Sequence, residues 1–357
     1  MNLQERIWQH SRPFVIAGPC SVESQSQMMT VAKEIHENFK ISLLRAGVWK
    51  PRTRPDSFEG VGKIGLSWLV EAGKSIGVPV ATEVANSHHV ELALKAGVDV
   101  LWIGARTTVN PFAVQEVADS LIGVDIPIMI KNPINPDLNL WIGAFERFQN
   151  AGFEDLTAIH RGFSVYNHPK YRNEPNWEIP IALMEKMPQI PIICDPSHIS
   201  GKRERLFPVA QKSMDLNFSG LMIETHSNPN EAWSDKEQQI TPKGLADLLN
   251  RLVLRKSMIK EEGLMYMELQ RNKISEIDDQ IFFLLKNRME LAEEVGDYKR
   301  EKGITILQTE HWMEIINQRL VQADKLGLSQ EFMREILDAI HQESIRHQNM
   351  VMNKSKE

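Results

Sequence analysis

Eight short apolar runs recur along the first 226 residues, at 14–20, 43–49, 79–84, 100–105, 127–132, 156–162, 191–197 and 220–226, and each closes on or beside a charged or metal-capable residue. Between them lie stretches with apolar residues at helical spacing, such as 67–76 and 87–96. Strand, helix, strand repeated eight times predicts an α/β fold, a (β/α)8 barrel.

In such a barrel the C-terminal ends of the strands meet at one mouth, so residues far apart in sequence become neighbours. Here they are Cys20, Arg45 with Lys50, Glu83, Arg106, Lys131, Arg161, Asp195 with His198, and Glu224. Five cations beside a thiol, an imidazole and carboxylates describe a site for a multiply anionic substrate and a metal. The segment LLRAGVWKPRTRPDSFEG at 43–60 puts Arg45, Lys50, Arg52 and Arg54 within ten residues, with Pro51 and Pro55 stiffening the loop. An anion bridging these cations gains attraction and relieves their mutual repulsion. Cys20, His198, Glu224 and Asp235 offer one sulfur, one nitrogen and two carboxylates, a donor set that suits Mn, Fe, Zn or Co better than Mg or Ca. Cys194 lies inside an apolar run and reads as a packed core thiol.

The 357 residues exceed what one barrel needs, and the composition shifts after about Leu254: proline disappears while Met, Gln, Glu, Lys and Arg rise. We expect a barrel domain at 1–256, a linker at 257–266 and an all-helical domain at 267–357. A net charge of −6 argues against nucleic acid as a partner, and no apolar run approaches the length of a membrane span. Two cysteines give no disulfide framework and point to a reducing cytoplasm. Gly60, Gly62 and Gly65 spell G-x-G-x-x-G, but PRTRPDSFE precedes them where a dinucleotide-binding motif requires a strand.

Residues 268–300 contain no proline, and Ile274, Ile277, Ile281, Leu284, Arg288, Leu291 and Val295 alternate spacings of three and four, the seam of one long packed helix. Two further helices are expected at 310–324 and 329–351. On the last, Ser344 and Gln348 place two hydrogen-bonding groups on an otherwise apolar stripe.

Several motifs carry a resemblance. AGPCSVES at 17–24, KPRTRP at 50–55, IGAR at 103–106, IKNP at 130–133, DPSH at 195–198 with a following Gly-Lys-Arg, and ETHSNP with WSDKEQQ at 224–239 resemble the type I 3-deoxy-7-phosphoheptulonate synthases, in the branch related to the octulosonate 8-phosphate synthases. The resemblance implies condensation of phosphoenolpyruvate with erythrose 4-phosphate, with Cys20, His198, Glu224 and Asp235 holding a divalent metal. It implies Arg106, Lys131 and Arg161 on the phosphoenolpyruvate phosphate, Arg45 and Lys50 on its carboxylate, and Arg52 and Thr53 on the phosphate of erythrose 4-phosphate. Cys20, Lys50 and His198 are the catalytic residues so implied. Two positions depart from the family pattern: His160 stands where Glu is common, and Arg54 replaces a small hydroxyl residue.

LQRNKISEIDDQI at 269–281, KNRMELAEEVGDYK at 286–299 and QESIRHQ at 342–348 resemble the all-helical chorismate mutases. That resemblance implies rearrangement of chorismate to prephenate in an interlocked homodimer. Arg271 and Arg288 are 17 residues apart, roughly 25 Å along a helix, too far to grip one ten-carbon ligand, so Arg271 serves the site of a second chain. Arg271 and Arg288 would bind carboxylates, Lys299 and Gln348 would face the ether oxygen, and Ser344 would assist. His311 and Trp312, preceded by Gln308, stand where the family has an arginine, a glutamate and an acidic residue.

The expected function is therefore a heptulonate-phosphate synthase fused to a chorismate mutase, with feedback between them. One alternative makes the helical domain a sensor of chorismate or prephenate; another makes the barrel an octulosonate-type synthase using arabinose 5-phosphate.

Overall fold

Each of the eight apolar runs contains a strand: β1 Phe14–Gly18, β2 Leu43–Arg45, β3 Val80–Val84, β4 Val100–Ile103, β5 Ile128–Lys131, β6 Leu156–His160, β7 Ile192–Cys194 and β8 Gly220–Glu224. All neighbours pair in parallel, and β1 closes on β8 to complete the barrel. This computed structural model describes residues 2–5, 13–51, 58–166, 170–255, 261–307 and 309–353, and of the side chains at 261–265 and 309–311 nothing is described. Contacts divide the chain into Met1–Ser257 and Met258–Glu357.

The strands are shorter than the apolar runs that encode them. In the second run the strand proper is Leu43–Arg45, yet Ala46 and Val48 beyond it are fully buried, and backbone pairing continues towards the mouth: the Ala46 amide donates to the Ala81 carbonyl and the Gly47 amide to the Cys20 carbonyl, each at 3.2 Å. Helices fill the intervals, many opened by a side-chain cap that satisfies free backbone N–H groups: Ser24 before Gln25–Asn38, Asn86 before Ser87–Ala96, Asp137 before Leu138–Asn150, and Thr241 before Pro242–Arg251.

Successive strand side chains point to opposite faces. Phe14, Ile16, Leu43, Ala81, Val100, Trp102, Met129, Ile159, Ile193 and Met222 point inward and, with Leu3, fill the barrel. Val15, Ala17, Leu44, Leu101, Ile103, Ile128, Ile130, Ala158 and Ile223 point outward into the layer beneath the helices.

The described residues of the second unit form three helices, Glu261–Lys302, Thr309–Lys325 and Gln330–Met352. Of the expected linker at 257–266, residues 257–260 lie outside the described residues, while 261–266 already belong to the long helix. Ser329 caps the last helix by accepting from the Phe332 amide. A Cβ on Gly296 would meet Gln348 Cα at 3.1 Å, so the glycine lets the first and last helices approach closely. Ile274, Ile277 and Leu284, in the expected seam, are 57%, 54% and 64% exposed in the single chain. No helix among the described residues is long and apolar enough to cross a membrane.

Candidate active sites

The period of two that fills the barrel also builds its mouth. Two residues beyond the inward core residues Leu43, Ala81, Met129, Ile159, Ile193 and Met222 stand Arg45, Glu83, Lys131, Arg161, Asp195 and Glu224. The same step beyond Trp102 reaches Gly104, where a Cβ would lie 2.2 Å from Glu83 Oε1; Glu83 occupies that space, and its Oε2 accepts from Trp102 Nε1 at 2.9 Å. Gly18, at φ +145°, brings β1 against β2, since a Cβ there would lie 2.0 Å from the Arg45 carbonyl oxygen.

Cys20, Glu224 and Asp235 form one cluster, their donor atoms all within 4.8 Å of one another. The Cys20 thiol is 3.2 Å from Asp235 Oδ2, and Lys50 Nζ donates to the thiol sulfur at 3.0 Å. His198 Nε2 is 3.7 Å from Glu224 Oε1. Burial, then the Glu224 carboxylate, pushes the Cys20 thiol up to about 12. Burial opposes the charge on Lys50, but Cys20, Glu224 and Asp235 outweigh it and raise Lys50 further. A buried thiol, two carboxylates and a nearby imidazole fit a divalent cation of borderline softness, which would draw the thiol into its thiolate form.

The other cations of the mouth adjoin this cluster. Arg45 donates to Glu224 Oε1 at 2.8 Å and to the Cys20 carbonyl at 3.2 Å, its guanidinium 4.9 Å from the centre of the Trp102 ring, while its buried Nε has no hydrogen-bond partner among the described residues. Lys131 Nζ donates to Asp195 Oδ2 at 2.9 Å, and His198 Nδ1 lies 2.7 Å from that same oxygen. Burial works against ionisation of Asp195, but His198 and Lys131 overcome it and hold the carboxyl well below its ordinary range. Arg161 donates to Asn173 Oδ1 at 2.7 Å, and burial lowers its guanidinium to about 10. Arg106, one residue into the short helix Ala105–Thr108, is exposed.

In the second unit a cavity of about 380 Å³ is lined by Arg288, Lys299, Trp312, His341, Ser344 and Gln348 with an apolar wall that includes Leu291 and Val295. Arg288 donates to Ser344 Oγ; Lys299 Nζ donates to the Ile306 carbonyl at 2.6 Å and to Gln348 Oε1 at 3.2 Å. Arg288 and Lys299, eleven residues apart on one helix, thus open on one space.

Residues 3–261 match the DAHP synthetase I family. The chain belongs to that family. Residues 270–349 match chorismate mutase type II, so the second unit carries a mutase-type domain. A phospho-2-dehydro-3-deoxyheptonate aldolase of Thermotoga maritima is 30% identical over 226 residues, 63% of this chain and 64% of the relative, so the chain spans less than two thirds of that protein's length. A 2-dehydro-3-deoxyphosphooctonate aldolase of Vesicomyosocius okutanii is 27% identical over 277 residues, 70% of this chain and 93% of the relative. Among solved structures, the Thermotoga maritima DAHP synthase superposes with a TM-score of 0.60 at 27% identity, covering 67% of each chain. A truncated form of 3-deoxy-D-arabino-heptulosonate 7-phosphate synthase from that organism gives 0.58 at 25% identity, over 67% of this chain and 84% of the other.

In this DAHP synthetase barrel the structure gathers Cys20, Arg45, Lys50, Lys131, Arg161, His198, Glu224 and Asp235 about one mouth, and in the mutase-type unit it gathers Arg288, Lys299, Ser344 and Gln348 about one cavity. It does not bring Arg271 there: that residue is exposed, 17 positions before Arg288 on the same helix. Arg52 and Thr53 lie outside the described residues, as does the side chain of His311. His160 turns away from the mouth. It falls between the inward Ile159 and Arg161 and points outward, boxed by Trp141, Phe163, Trp177 and Phe218. Burial lowers its imidazole to about 3.

Sequence reasoning missed the groups that support the mouth. Arg172 donates to Asp235 Oδ1 at 3.0 Å and to Gln238 Oε1 at 2.6 Å, and Gln238 donates in turn to Glu224 Oε2 at 2.7 Å. Gln238 stood inside the WSDKEQQ motif; Arg172 sits in a loop with no periodic signal. Asn132 accepts from the Arg161 amide at 2.7 Å, and its place in IKNP was its only mark.

Proposed function

We propose that this chain is a bifunctional cytoplasmic enzyme of aromatic biosynthesis, with a synthase domain at 1–256 and a mutase domain at 267–357 joined through residues 257–266, of which 261–266 are the first turns of the long helix. The barrel condenses phosphoenolpyruvate with erythrose 4-phosphate and water to 3-deoxy-D-arabino-heptulosonate 7-phosphate and phosphate. The helical domain rearranges chorismate to prephenate. The observation that carries the first activity is the Cys20, Glu224 and Asp235 cluster at the same barrel mouth as buried Lys131 and Arg161.

A divalent ion, Mn, Fe, Zn or Co, would be held by Cys20, His198, Glu224 and Asp235, and when bound it supplies Lewis acidity toward the aldehyde oxygen. The protein's own groups do the assembling. Arg106, Lys131 and Arg161 hold the phosphoenolpyruvate phosphate, Arg45 and Lys50 its carboxylate, and Arg52 and Thr53 the phosphate of the aldose. Two polyanions that repel in water are thereby held so that C3 of the enol reaches the aldehyde carbon, and fixed cations stabilise the charge that moves during the step. Lys50, kept cationic beside Cys20, is positioned to hold a proton at Nζ next to the reacting end.

The mutase step transfers no proton and forms no covalent intermediate. Arg288 and the second chain's Arg271 fix the carboxylates of the compact conformer, Lys299 and Gln348 meet the negative charge growing on the ether oxygen, and Ser344 orients Arg288. Half-exposed Ile274, Ile277, Ile281 and Leu284 support a homodimer in which each long helix covers the other's seam. His311 stands at the arginine's position as a cation when protonated. Product prephenate bound in this domain feeds back on the synthase; phosphate release that stays constant across a prephenate titration removes that part of the proposal.

Phosphate release from phosphoenolpyruvate, measured with erythrose 4-phosphate and with arabinose 5-phosphate, tests the synthase, and loss of chorismate absorbance tests the mutase. Turnover with erythrose 4-phosphate and with chorismate is expected. Preference for the pentose phosphate would overturn the heptulosonate reading.

A further inference from the structure

The mutase-type cavity contains a pair of rings that the roles assigned above do not use. Trp312 on Thr309–Lys325 and His341 on Gln330–Met352 stack with ring centroids 3.7 Å apart and planes 13° from parallel, and both line the cavity. The hydrogen-bonding inventory of the other lining groups is one-sided. Arg288 and Lys299 are donors only. Ser344 Oγ accepts from Arg288 and donates to the Ile340 carbonyl at 2.7 Å, and Gln348 Oε1 accepts from Lys299. Among the described residues no carboxylate lines the cavity and no hydrogen bond engages a ring nitrogen of His341.

Chorismate, the substrate under the reading this inference rests on, carries two carboxylates, an ether oxygen and one ring hydroxyl. The cations answer the first three. The hydroxyl is a donor, and burying it without an acceptor forfeits much of the binding energy. We propose that His341 is the acceptor for the substrate's ring hydroxyl and that Trp312, by stacking on the imidazole, fixes the plane in which its nitrogen is offered.

The electrostatics suit that role. Burial holds the imidazole below its ordinary range, Arg288 and Lys299 on the long helix push the same way, and Asp338 on its own helix opposes them. From the middle helix the described lining groups are Trp312 and Ile315, neither of them charged. A neutral imidazole keeps one nitrogen as an acceptor at neutral pH. His341 is thus a specificity-determining residue and Trp312 its positioning partner.

The test compares chorismate with its ring-hydroxyl methyl ether as substrates of the full chain. In the His341→Leu variant, kcat/KM for chorismate is expected to fall roughly 10- to 100-fold, chiefly through KM, while that for the methyl ether stays unchanged. His341→Asn, which restores an acceptor, should recover part of the loss, and Trp312→Leu should fall between. Equal effects of His341→Leu on both substrates, or none on either, would overturn the assignment while leaving the mutase reading intact. A wild-type chain that neither binds nor converts chorismate overturns both.

Discussion

Lys50 Nζ stands 3.0 Å from Cys20 Sγ and 3.1 Å from the Cys20 carbonyl oxygen, so one ammonium caps the thiol of the Cys20, Glu224 and Asp235 cluster. The contact places a cation beside a sulfur that burial and Glu224 hold protonated, and Lys50 only partly offsets them.

With the thiol pushed up to about 12, capture of a divalent ion must expel the Cys20 proton throughout the neutral range. The apparent association constant is expected to rise about tenfold per pH unit between pH 6.5 and 8.5, with about one proton released per ion. Calorimetry in buffers of different ionisation enthalpy reads that proton. Cys20→Ala should abolish tight binding and phosphate release and leave chorismate turnover in place.

Lys131 and Asp195 form a buried pair at 2.9 Å. Asp195→Asn removes one partner and leaves the other charged in the interior, a loss of about 3–5 kcal/mol. Urea unfolding of the barrel should show it, and Lys131→Met added to Asp195→Asn should regain most of the stability and none of the synthase activity. Because the Asp195 carboxyl is held below its ordinary range, its contribution is present above about pH 4 and is lost as the pH falls through the lower, folded-state value.

His160 titrates in the opposite sense to a paired histidine. Its folded value near 3 lies below the ordinary 6.5, so below pH 6.5 the unfolded chain takes up a proton that the folded barrel refuses. Stability therefore declines as the pH drops from about 6.5 toward 3. His160→Phe, which suits a box of four aromatic rings, should flatten that decline in a melting-temperature series and leave phosphate release near wild type.

Lys299 ties the Ile306 carbonyl and Gln348 into one corner of the mutase cavity. Lys299→Met should lower kcat for chorismate about 10²–10³-fold, the usual effect of deleting one donor to developing negative charge. The synthase rate in the same preparation serves as the folding control.

Arg271 and Arg288 offer a complementation test of the proposed homodimer. Arg271→Ala chains and Arg288→Ala chains should each be inactive as mutases, and refolding them together should restore one intact site per heterodimer. A mixture as inactive as its components would place both arginines in the same chain's site. Ile277→Glu with Ile281→Glu should yield monomers in sedimentation.

The mouth of the barrel was legible from sequence because its chemistry follows the same two-residue alternation as the core. Arg45, Lys131, Arg161, Asp195 and Glu224 each stand one step beyond an inward apolar residue, so finding the strands found the site. The same rule separates His160 from Arg161: one residue of phase sends a side chain to the opposite face, and His160 became core. Arg172 had no such periodic mark. It reaches Asp235 from a position 63 residues earlier, and no local pattern encodes that approach.

The helical unit shows the converse. The three-and-four spacing of Ile274 to Val295 marks an apolar seam, but it is silent on what covers it, and in the single chain these residues stay largely exposed. The Trp312 and His341 stack joins two helices across 29 residues and sits among cations that only packing brings close. The sequence by itself determined the eight-fold strand and helix repeat, the helical second unit, and the residue types at the barrel mouth and along the seam, because backbone periodicity and charge placement are local properties of a chain. Tertiary structure alone decided which charges pair, which atoms are left without partners and which rings meet, because those depend on distances of a few ångströms between segments remote in sequence.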